Sequence, residues 1–337
     1  MVHAPRCYNR LNISLVKGNP LVPLDILTIG EALVEIMRAD IDQPLDRPGP
    51  FTGPYPSGAP FIFAVQAARL GLKSAAIGAV GADAFGDCLL RQLETDGVSA
   101  AGVRQLPDQP TGVAFVSYQA DGSRNFVFSL GAGGHIKADM LLPELFEGLR
   151  CFHIMGSTLS MSAEVLEVCR RALDMAVASG ALISFDPNLR PELLPPDEAR
   201  VAFADFIAAA DILLPTEDEL PALSGADTVA LAVAELLADR PERLIVVTRG
   251  AQGCAVYSAD GRVDVPGYVA DEIDPTGAGD CFDAGFLGEL LLGKSPAEAA
   301  RLANACGALA VSAKGPMSGA KSRAQVEALV SGESQSK

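Results

Sequence analysis

Short, continuous runs of Val, Ile and Leu alternate with longer amphipathic segments along most of this chain. The runs predict strands at 25–30, 74–80, 113–118, 125–130, 151–155, 182–186, 212–214, 244–248 and 254–258. The longer segments predict helices at 60–71, 85–96, 163–179, 197–210, 229–238, 278–292 and 296–313. Apolar strands separated by helices are typical of a parallel sheet covered on both faces. The pattern therefore predicts an α/β fold whose ligands bind outside the carboxyl ends of the strands.

Composition and charge limit the classes of function. The chain has 337 residues, 49% of them hydrophobic and 20% charged, so it can bury a large core. Its formal net charge of −16 argues against nucleic acid or an anionic membrane as a partner, because both need a basic face. The sequence has no apolar run of the ~18–20 residues that would cross a membrane. To bind a phosphorylated ligand, a protein this acidic must concentrate positive potential locally.

The termini and the cysteines indicate the compartment. Residues 1–20 lack the apolar stretch of about 7–15 residues found in a signal peptide, and we expect a disordered extension, native or added by cloning. We expect a single folded domain over 21–325 and a disordered tail over 326–337. Seven cysteines are scattered and three histidines are not clustered, which argues against a disulfide framework or a zinc site. We expect a cytoplasmic protein.

A glycine-rich string is the most direct indication of chemistry: Asp-Pro-Thr-Gly-Ala-Gly-Asp at 274–280, followed by an apolar helix. A glycine-rich turn that opens a helix gathers unpaired N–H donors and the positive end of the helix dipole, and together these bind anions. Asp280, at the end of the string, is a poor phosphate ligand but a good base for an attacking hydroxyl. The alternative is a plain helix start in which Asp280 only complements the dipole.

This string resembles the C-terminal signature D-T-x-G-A-G-D of the ribokinase-like (PfkB) carbohydrate kinases, and the resemblance covers nearly the whole chain. It implies a ribokinase-like three-layer sandwich with a small β-sheet lid, and ATP, Mg²⁺ and a sugar as ligands. Carried over by position, Gly277, Ala278 and Gly279 form an anion hole for the phosphoryl group, and Asp280 is the catalytic base. In many relatives the residue at Asp274 and nearby carbonyls hold a monovalent cation such as K⁺.

The sugar-binding end matches the family less closely. The stretch entering the first long helix resembles the signature G-G-x-x-x-N-x-A-x-x-x-A-x-L-G. Gly58 matches one glycine of the pair and is followed by Ala59, whereas Ser57 replaces the other glycine. The Asn that binds a sugar hydroxyl in the family falls at Ile62. We expect either a sugar hydroxyl without its usual partner or a substitute donor from Gln66, one turn further along.

Glu35 is the expected acid for the sugar. The string Gly-Glu-Ala-Leu-Val-Glu at 30–35 resembles the family motif G-E-x-x-x-D, whose acid accepts two sugar hydroxyls. Here that acid is Glu35, one methylene longer than Asp. Glu31, in the same string, is explained equally well as a solvated loop charge.

Two strings resemble the nucleotide-binding motifs of the family. Asp-Pro-Asn-Leu-Arg, after a central strand, resembles D-x-N-x-R, which brings Asn188 and Arg190 to the phosphates. The forked guanidinium of Arg suits that task, and an Asx turn alone would not explain its presence. Thr248, Gly250 and Gly253 match T-x-G-x-x-G, a loop whose backbone lies close to nucleotide phosphate or ribose.

The remaining positions concern Mg²⁺ and adenine. Glu219 matches the acid of N-x-x-E, a family motif that organises Mg²⁺ through water, whereas Thr216 replaces its Asn. Asn304 and Gly307, with the turn at 314–315, fall where the family closes over adenine. Packing would explain Gly307 equally well.

Two stretches interrupt the alternation of strands and helices. Residues 36–57 are rich in Pro and Gly, and residues 111–131 alternate like a β-hairpin with its turn at 120–123. The resemblance implies that both form the lid over the sugar, and a surface decoration is the alternative. The exposed strand edges of such a lid would pair with a second copy, so we expect a homodimer.

The resemblance implies transfer of a phosphoryl group from ATP to a primary hydroxyl of a sugar. In 2-keto-3-deoxygluconate kinases an aromatic residue and an Arg after the lid strand bind the substrate carboxylate. The corresponding stretch here, 126–131, has no cation. Arg124 precedes that stretch and could reach in, but its place beside the hairpin tip favours exposure to solvent. Since a buried carboxylate without a cation is costly, a neutral sugar is favoured. The missing Asn at Ile62 disfavours fructose relative to an epimer, so we rank tagatose first, fructose second and 2-keto-3-deoxygluconate third.

Two other functional classes stay open. A nucleoside kinase of the same fold needs aromatic residues that sandwich the base, and this chain has 6% aromatic residues and no Trp. A non-catalytic sugar or nucleotide sensor would have no use for a base at Asp280. An assay of ADP release with a panel of sugars separates these classes.

Overall fold

Thirteen strands form two sheets in the computed structural model, which describes residues 23–120 and 123–332. In chain order the strands are β1 (Ile26–Ile29), β2 (Leu33–Arg38), β3 (Phe51–Ser57), β4 (Ser74–Gly81), β5 (Ser99–Leu106), β6 (Gly112–Tyr118), β7 (Arg124–Ser129), β8 (Cys151–Met155), β9 (Leu182–Asp186), β10 (Ile212–Leu213), β11 (Leu244–Thr248), β12 (Cys254–Ser258) and β13 (Gly261–Val265). The larger sheet has the order β13-β12-β11-β10-β9-β8-β1-β4-β5. Its strands pair in parallel except β12 and β13, which form an antiparallel edge.

Helices cover both faces of the larger sheet. They are α1 (Ala59–Arg69), α2 (Ala84–Asp96), α3 (Gly156–Leu159), α4 (Ala163–Ser179), α5 (Pro196–Ala202), α6 (Ala204–Ala209), α7 (Glu219–Ser224), α8 (Val229–Asp239), α9 (Ala278–Leu291), α10 (Pro296–Ala310) and α11 (Arg323–Ser331). Because successive strand residues face opposite sides, Leu27 packs in a core with α4 to α8 and Ile26 packs in another with α1, α9 and α10. This arrangement confirms the predicted three-layer sandwich.

Capping residues and apolar runs in the sequence predicted the positions of most helices and strands correctly. The fourth helix spans the predicted residues because Ser162 caps its start, accepting a hydrogen bond from the N–H of Val165, and Gly180 ends it with a φ of 77°. The helix predicted over 197–210 is divided at Phe203 into α5 and α6. The edge strands β5 and β13 were not predicted, because a strand with few buried positions lacks a continuous apolar run.

The smaller sheet has the strand order β3-β2-β6-β7. Strands β2 and β6 pair in parallel, whereas β2–β3 and β6–β7 are antiparallel. The predicted hairpin therefore exists as β6 and β7, although residues 121–122 of its turn lie outside the described residues. The Pro- and Gly-rich stretch supplies β3 and part of β2, so both interruptions contribute strands to the small sheet.

The C-terminal boundary needs a correction. We expected a disordered tail over 326–337, but α11 continues to Ser331. A reciprocal cap between Ser322 and Gln325 starts this helix, fully buried Val326 packs in the core, and Arg323 donates to Glu289 at 2.7 Å. The predicted extension at 1–20 and residues 333–337 lie outside the part of the chain that the structure describes.

Within the described ranges, no helix is long and apolar enough to cross a membrane. The same part of the chain contains no group of three or more His, Cys, Asp or Glu side chains arranged to hold a metal ion. Five of its cysteines are buried free thiols that pack as small apolar side chains: Cys151, Cys169, Cys254, Cys281 and Cys306.

Candidate active site

A cavity of about 440 Å³ lies between the carboxyl ends of the central strands and the small sheet. Glycine backbone and charged side chains form much of its wall, with apolar residues from the small sheet opposite. Many of the predicted site residues line it: Glu35, Gly58, Ala59, Asn188, Arg190, Glu219, Thr248, Gly277, Ala278, Gly279 and Asp280. The predicted nucleotide and sugar ends therefore share one cavity.

The N-terminus of α9 forms one wall of this cavity. Gly277 caps the helix in the left-handed region, with φ 87°, and the structure gives it no side-chain capping bond within the described residues. A side chain there would be strained and would also approach the carbonyl of Pro316 and Ile62. The first-turn N–H groups have no intrahelical acceptor, and 277–280 line the cavity. The turn thus has the form of an anion site.

Asp280 is held inside the first turn of α9, with only 6% of its surface exposed. Burial raises the pKa of its carboxyl well above the ordinary value, and the neighbouring Asp186 raises it further. The guanidinium of Arg190 opposes this rise. A buried carboxyl with a raised pKa suits a general base that must accept a proton near neutral pH.

The turn after β9 combines an Asx turn with a cation. Asp186 accepts hydrogen bonds from the backbone N–H of Asn188 at 2.9 Å and from its Nδ2 at 3.0 Å. These bonds hold Asn188 at a positive φ of 39°. The Oδ1 atom of Asn188 is buried and has no hydrogen-bond partner among the described residues. Arg190 lines the cavity beside it, so the turn aims both predicted side chains at the site.

Glu219 joins two loops at the nucleotide end. Its carboxylate accepts from the backbone N–H of Leu189 at 2.7 Å and from that of Thr216 at 2.9 Å. The Thr216 hydroxyl in turn accepts from the N–H of Glu219, the first residue of α7, at 3.2 Å. Thr216 therefore stabilises this loop where the family motif has Asn, and both Thr216 and Glu219 line the cavity.

Glu35 lies on β2 and faces the cavity from the small sheet. Its Oε1 accepts from the Ser57 hydroxyl at 2.7 Å, and its Oε2 is buried without a hydrogen-bond partner in the described chain. Burial raises the pKa of this carboxyl to about 7. Glu31 is not a solvated loop charge, because it is buried and accepts from Ser157 at 2.9 Å and from Thr158 at 2.7 Å.

The entry to α1 departs from the prediction at Gln66. Gly58 has a φ of 106°, and a Cβ there would lie 2.2 Å from the Glu31 carbonyl oxygen, so glycine is required. Ile62 is buried and lines the cavity. Gln66 lies outside the cavity, and its amide exchanges two 3.0 Å hydrogen bonds with the backbone of Lys321. It cannot replace the missing Asn because both ends of its amide hold the C-terminal segment.

Three predicted nucleotide-binding residues also lie outside the cavity. Gly250 belongs to a short turn beyond Thr248. Gly253 has a φ of 91°, and a Cβ there would lie 2.2 Å from the Val265 carbonyl oxygen. Asn304 donates through Nδ2 to the carbonyl oxygens of Val265 at 3.2 Å and of Pro266 at 3.1 Å. Gly253 and Asn304 shape the backbone at the end of β13, whereas Thr248 itself lines the cavity.

Asp274 is a hydrogen-bond junction behind the anion-site turn, with 1% of its surface exposed. Its Oδ1 accepts from the Tyr118 hydroxyl at 2.7 Å and from the Thr276 N–H at 3.0 Å. Its Oδ2 accepts from the Gly315 N–H at 2.9 Å. The family resemblance implies only a cation-ligand role for Asp274, and no local sequence signal identifies Tyr118 as its partner.

Arg124 corrects the expectation that the lid side has no cation. Although its side chain is largely exposed, Arg124 lines the cavity and donates to the Thr276 hydroxyl at 3.0 Å. Its positive charge also acts to lower the pKa of Glu35, against the effect of burial. The cavity therefore has a guanidinium at the lid side, Arg124, and another at the β9 side, Arg190.

Asp283 lines the cavity one turn after Asp280, and sequence reasoning missed it. It is 2% exposed, and its Oδ2 lies 3.6 Å from Nε2 of buried His153. Burial raises the pKa of this carboxyl, and Asp186 adds to the effect. Its spacing of three residues from Asp280 is the sequence signal that could have identified Asp283, because i and i+3 side chains lie on the same face of a helix.

The model of the pfkB family carbohydrate kinases matches residues 24–323 of this chain. The chain belongs to the PfkB family. As a PfkB protein it is an ATP-dependent sugar kinase, and the predicted family, fold and enzyme class are confirmed.

This PfkB chain is 36% identical over 308 residues to Fructokinase-1 of Oryza sativa subsp. japonica, covering 86% of this chain and 92% of that protein. An E. coli protein described as a ribokinase II, solved with ATP and Mg²⁺, is 41% identical with a TM-score of 0.87, covering 91% of this chain and 99% of that chain. A double mutant of the Vibrio cholerae O395 fructokinase, solved with fructose, ADP and a potassium ion, is 27% identical with a TM-score of 0.79, covering 91% and 99%.

Proposed function

We propose that this PfkB kinase transfers the γ-phosphoryl group of ATP to a primary hydroxyl of a neutral ketohexose. The observation that carries the proposal is the arrangement of Glu35 and Asp280 in one cavity with the open N-terminus of α9. Glu35 offers a free buried acceptor for sugar hydroxyls, and Asp280 is a buried carboxyl beside a site for a transferred anion.

In the proposed mechanism Asp280 orients the attacking hydroxyl and takes its proton. The backbone N–H groups at 277–279 stabilise negative charge on the transferred group, and Arg190 neutralises charge on the nucleotide phosphates. Phosphoryl transfer depends mainly on such positioning and electrostatic stabilisation. The other end of the sugar is held by Glu35.

The residues near β9 fit a divalent metal bound with the nucleotide. Asn188 has an unused buried Oδ1 within the described chain, and the Glu219 carboxylate lines the same cavity. Both would hold Mg²⁺ through water. When bound, Mg²⁺ supplies positive charge to the phosphate oxygens.

We retain a monovalent cation near Asp274 as part of the proposal. The solved Vibrio fructokinase mutant contains a potassium ion. Because Asp274 already accepts three hydrogen bonds, such a cation would tune the 274–276 turn rather than neutralise an unpartnered charge. Replacing K⁺ with choline in the assay should lower turnover, and an unchanged rate would remove the cation from the mechanism.

Fructose and tagatose are the sugars to compare first. Similarity to the rice fructokinase favours fructose. Tagatose is favoured by Ile62, which places an apolar side chain in the cavity where the family signature has Asn. The acid 2-keto-3-deoxygluconate is a second candidate, because Arg124 gives the lid side the cation that a carboxylate would need.

The experiment measures ADP release as kcat/KM for fructose, tagatose and 2-keto-3-deoxygluconate, with a nucleoside as a fourth acceptor. A neutral ketohexose should be preferred, and a tenfold or greater preference for the acid would overturn that choice. Restoring the amide with Ile62→Asn should shift the preference toward fructose. Binding of a sugar without ADP release from any acceptor would instead indicate a sensor.

We also propose a cytoplasmic homodimer that pairs through the small sheet. Light scattering of the purified chain tests the dimer, since a mass equal to one copy at micromolar concentration would exclude it.

A further inference from the structure

Two side chains attach the end of the β6–β7 hairpin to the anion-site turn. Tyr118 is the last residue of β6, Arg124 is the first of β7, and the two are partners in the strand register. The Tyr118 hydroxyl donates to Asp274 Oδ1 at 2.7 Å, and Arg124 donates to the Thr276 hydroxyl at 3.0 Å. One ladder pair of the small sheet thus contacts two residues of a single three-residue turn.

This turn leads directly into the anion site. Asp274 holds the N–H of Thr276 at 3.0 Å, and the next residue is Gly277, the start of the anion site. Asp274 is buried and is also fixed from behind by the N–H of Gly315 at 2.9 Å. A displacement of the hairpin end would therefore pull on a short, tightly bonded segment, and the N–H groups of 277–279 would move with it.

The same hairpin belongs to the sheet that carries the sugar-binding acid. Glu35 on β2 lies opposite Ala114 on β6 in the parallel ladder. A ligand held by Glu35 therefore contacts the same sheet whose hairpin end is hydrogen-bonded to Asp274 and Thr276. Tyr118 is half-buried, and its phenol hydroxyl is the donor in the 2.7 Å hydrogen bond to the buried Asp274 carboxylate.

We propose that Tyr118 is a positioning residue that couples the placement of the small sheet over the sugar to the geometry of the anion site. This inference rests on the proposed function and adds a coupling element to it. A sugar bound to Glu35 would restrict the movement of the hairpin. Through the Tyr118–Asp274 hydrogen bond, the backbone at 276–279 would then be restricted as well. The anion site would then be fully ordered only when an acceptor is present.

The test is the variant Tyr118→Phe, which removes only the hydroxyl, beside the control Tyr257→Phe on β12, a residue that does not line the cavity. With the sugar that the wild-type protein turns over best, Tyr118→Phe should lower kcat by about tenfold or more and change the KM for that sugar less than about threefold, because the loss falls on transition-state stabilisation. The control should keep both constants.

Hydrogen exchange distinguishes coupling from a general loss of structure. In wild type, that sugar alone should slow exchange in β6 and in 274–280. In Tyr118→Phe it should still slow exchange in β6 but no longer in 274–280. Retained protection at 274–280, an unchanged kcat, or a raised KM with normal kcat would each overturn the inference. The proposed function fails separately, if the wild-type protein releases no ADP with any acceptor.

Discussion

At the scale of single residues, the chemistry of the cavity depends on carboxyls whose environments differ. Glu35 and Asp280 are both buried, but Asp280 lies at a helix N-terminus near Arg190, whereas Glu35 faces the small sheet near Arg124. Such differences allow one carboxyl to bind hydroxyls while another accepts a proton.

Replacement of the proposed base is the most direct prediction at this scale. Asp280→Asn keeps the size and polarity of the side chain but cannot accept a proton, so turnover should fall by roughly 10²–10⁴. Nucleotide binding, measured by calorimetry, should be preserved, and the exposed control Asp260→Asn should retain full turnover. An Asp280→Asn variant that keeps more than about a tenth of the wild-type rate would show that the base lies elsewhere.

Glu35 should make sugar binding pH-dependent. Its pKa is raised to about 7 by burial, and sugar hydroxyls that donate to it favour the charged form. Below pH 7 the carboxyl must lose a proton before binding, so sugar affinity should fall by up to about tenfold per pH unit. Affinity should be nearly constant above pH 7.5.

Calorimetry with fructose at pH 5.5–8.5, without nucleotide, measures this effect. The variant Glu35→Gln keeps Glu31 and Asp280 as titrating groups. Any change of sugar affinity with pH that these two carboxyls cause is therefore also present in the variant and can be subtracted. If sugar affinity changes with pH equally in the wild type and in Glu35→Gln, Glu35 is not the acid that binds the sugar.

At the scale of elements, the small sheet is the part expected to respond to sugar. Its outer strands β3 and β7 are more exposed than β2, which lies inside the sheet and carries Glu35. Few buried contacts make a segment easier to displace locally.

Sugar binding should slow hydrogen exchange in 36–57 and 111–131 together, because β2, which carries Glu35, pairs directly with β6. Exchange in α4, which packs on the far face of the larger sheet, serves as the internal reference. Protection confined to one stretch, or found in neither, would remove the proposal that this sheet closes as a lid.

At the scale of the whole molecule, folding buries several acidic side chains together in the cavity. The pKa values of five cavity carboxyls are raised, chiefly by burial: Glu31, Glu35, Asp186, Asp280 and Asp283. A carboxyl with a raised folded-state pKa contributes stability that is complete below its unfolded pKa and is lost as pH rises through the folded pKa.

The thermal midpoint of the ligand-free protein should therefore decrease from pH 5 to pH 8. Asp283→Asn removes one of these charges with little change in volume, so it should raise the midpoint at pH 8 by a few degrees and have less effect at pH 5. Scanning calorimetry at both pH values, with Asp260→Asn as the exposed control, measures the difference. A midpoint for Asp283→Asn that is lower at pH 8 would indicate that this carboxylate is stabilised by a partner when charged.

The sequence by itself determined the features that depend on neighbouring residues. The cap at Ser162 and the glycine at 180 set the limits of α4, and the string at 274–280 specified a turn, a helix start and a carboxyl in a fixed order. Apolar runs identified the buried parallel strands, because their periodicity follows from burial on both faces.

Only the tertiary structure decided which distant residues meet. Gln66 bonds to Lys321 rather than facing the cavity, Arg124 reaches Thr276, and Tyr118 reaches Asp274. These partners are separated by 255, 152 and 156 positions in the chain. Local spacing sets the face of a helix or strand on which a side chain lies, but the docking of whole elements decides what that face contacts.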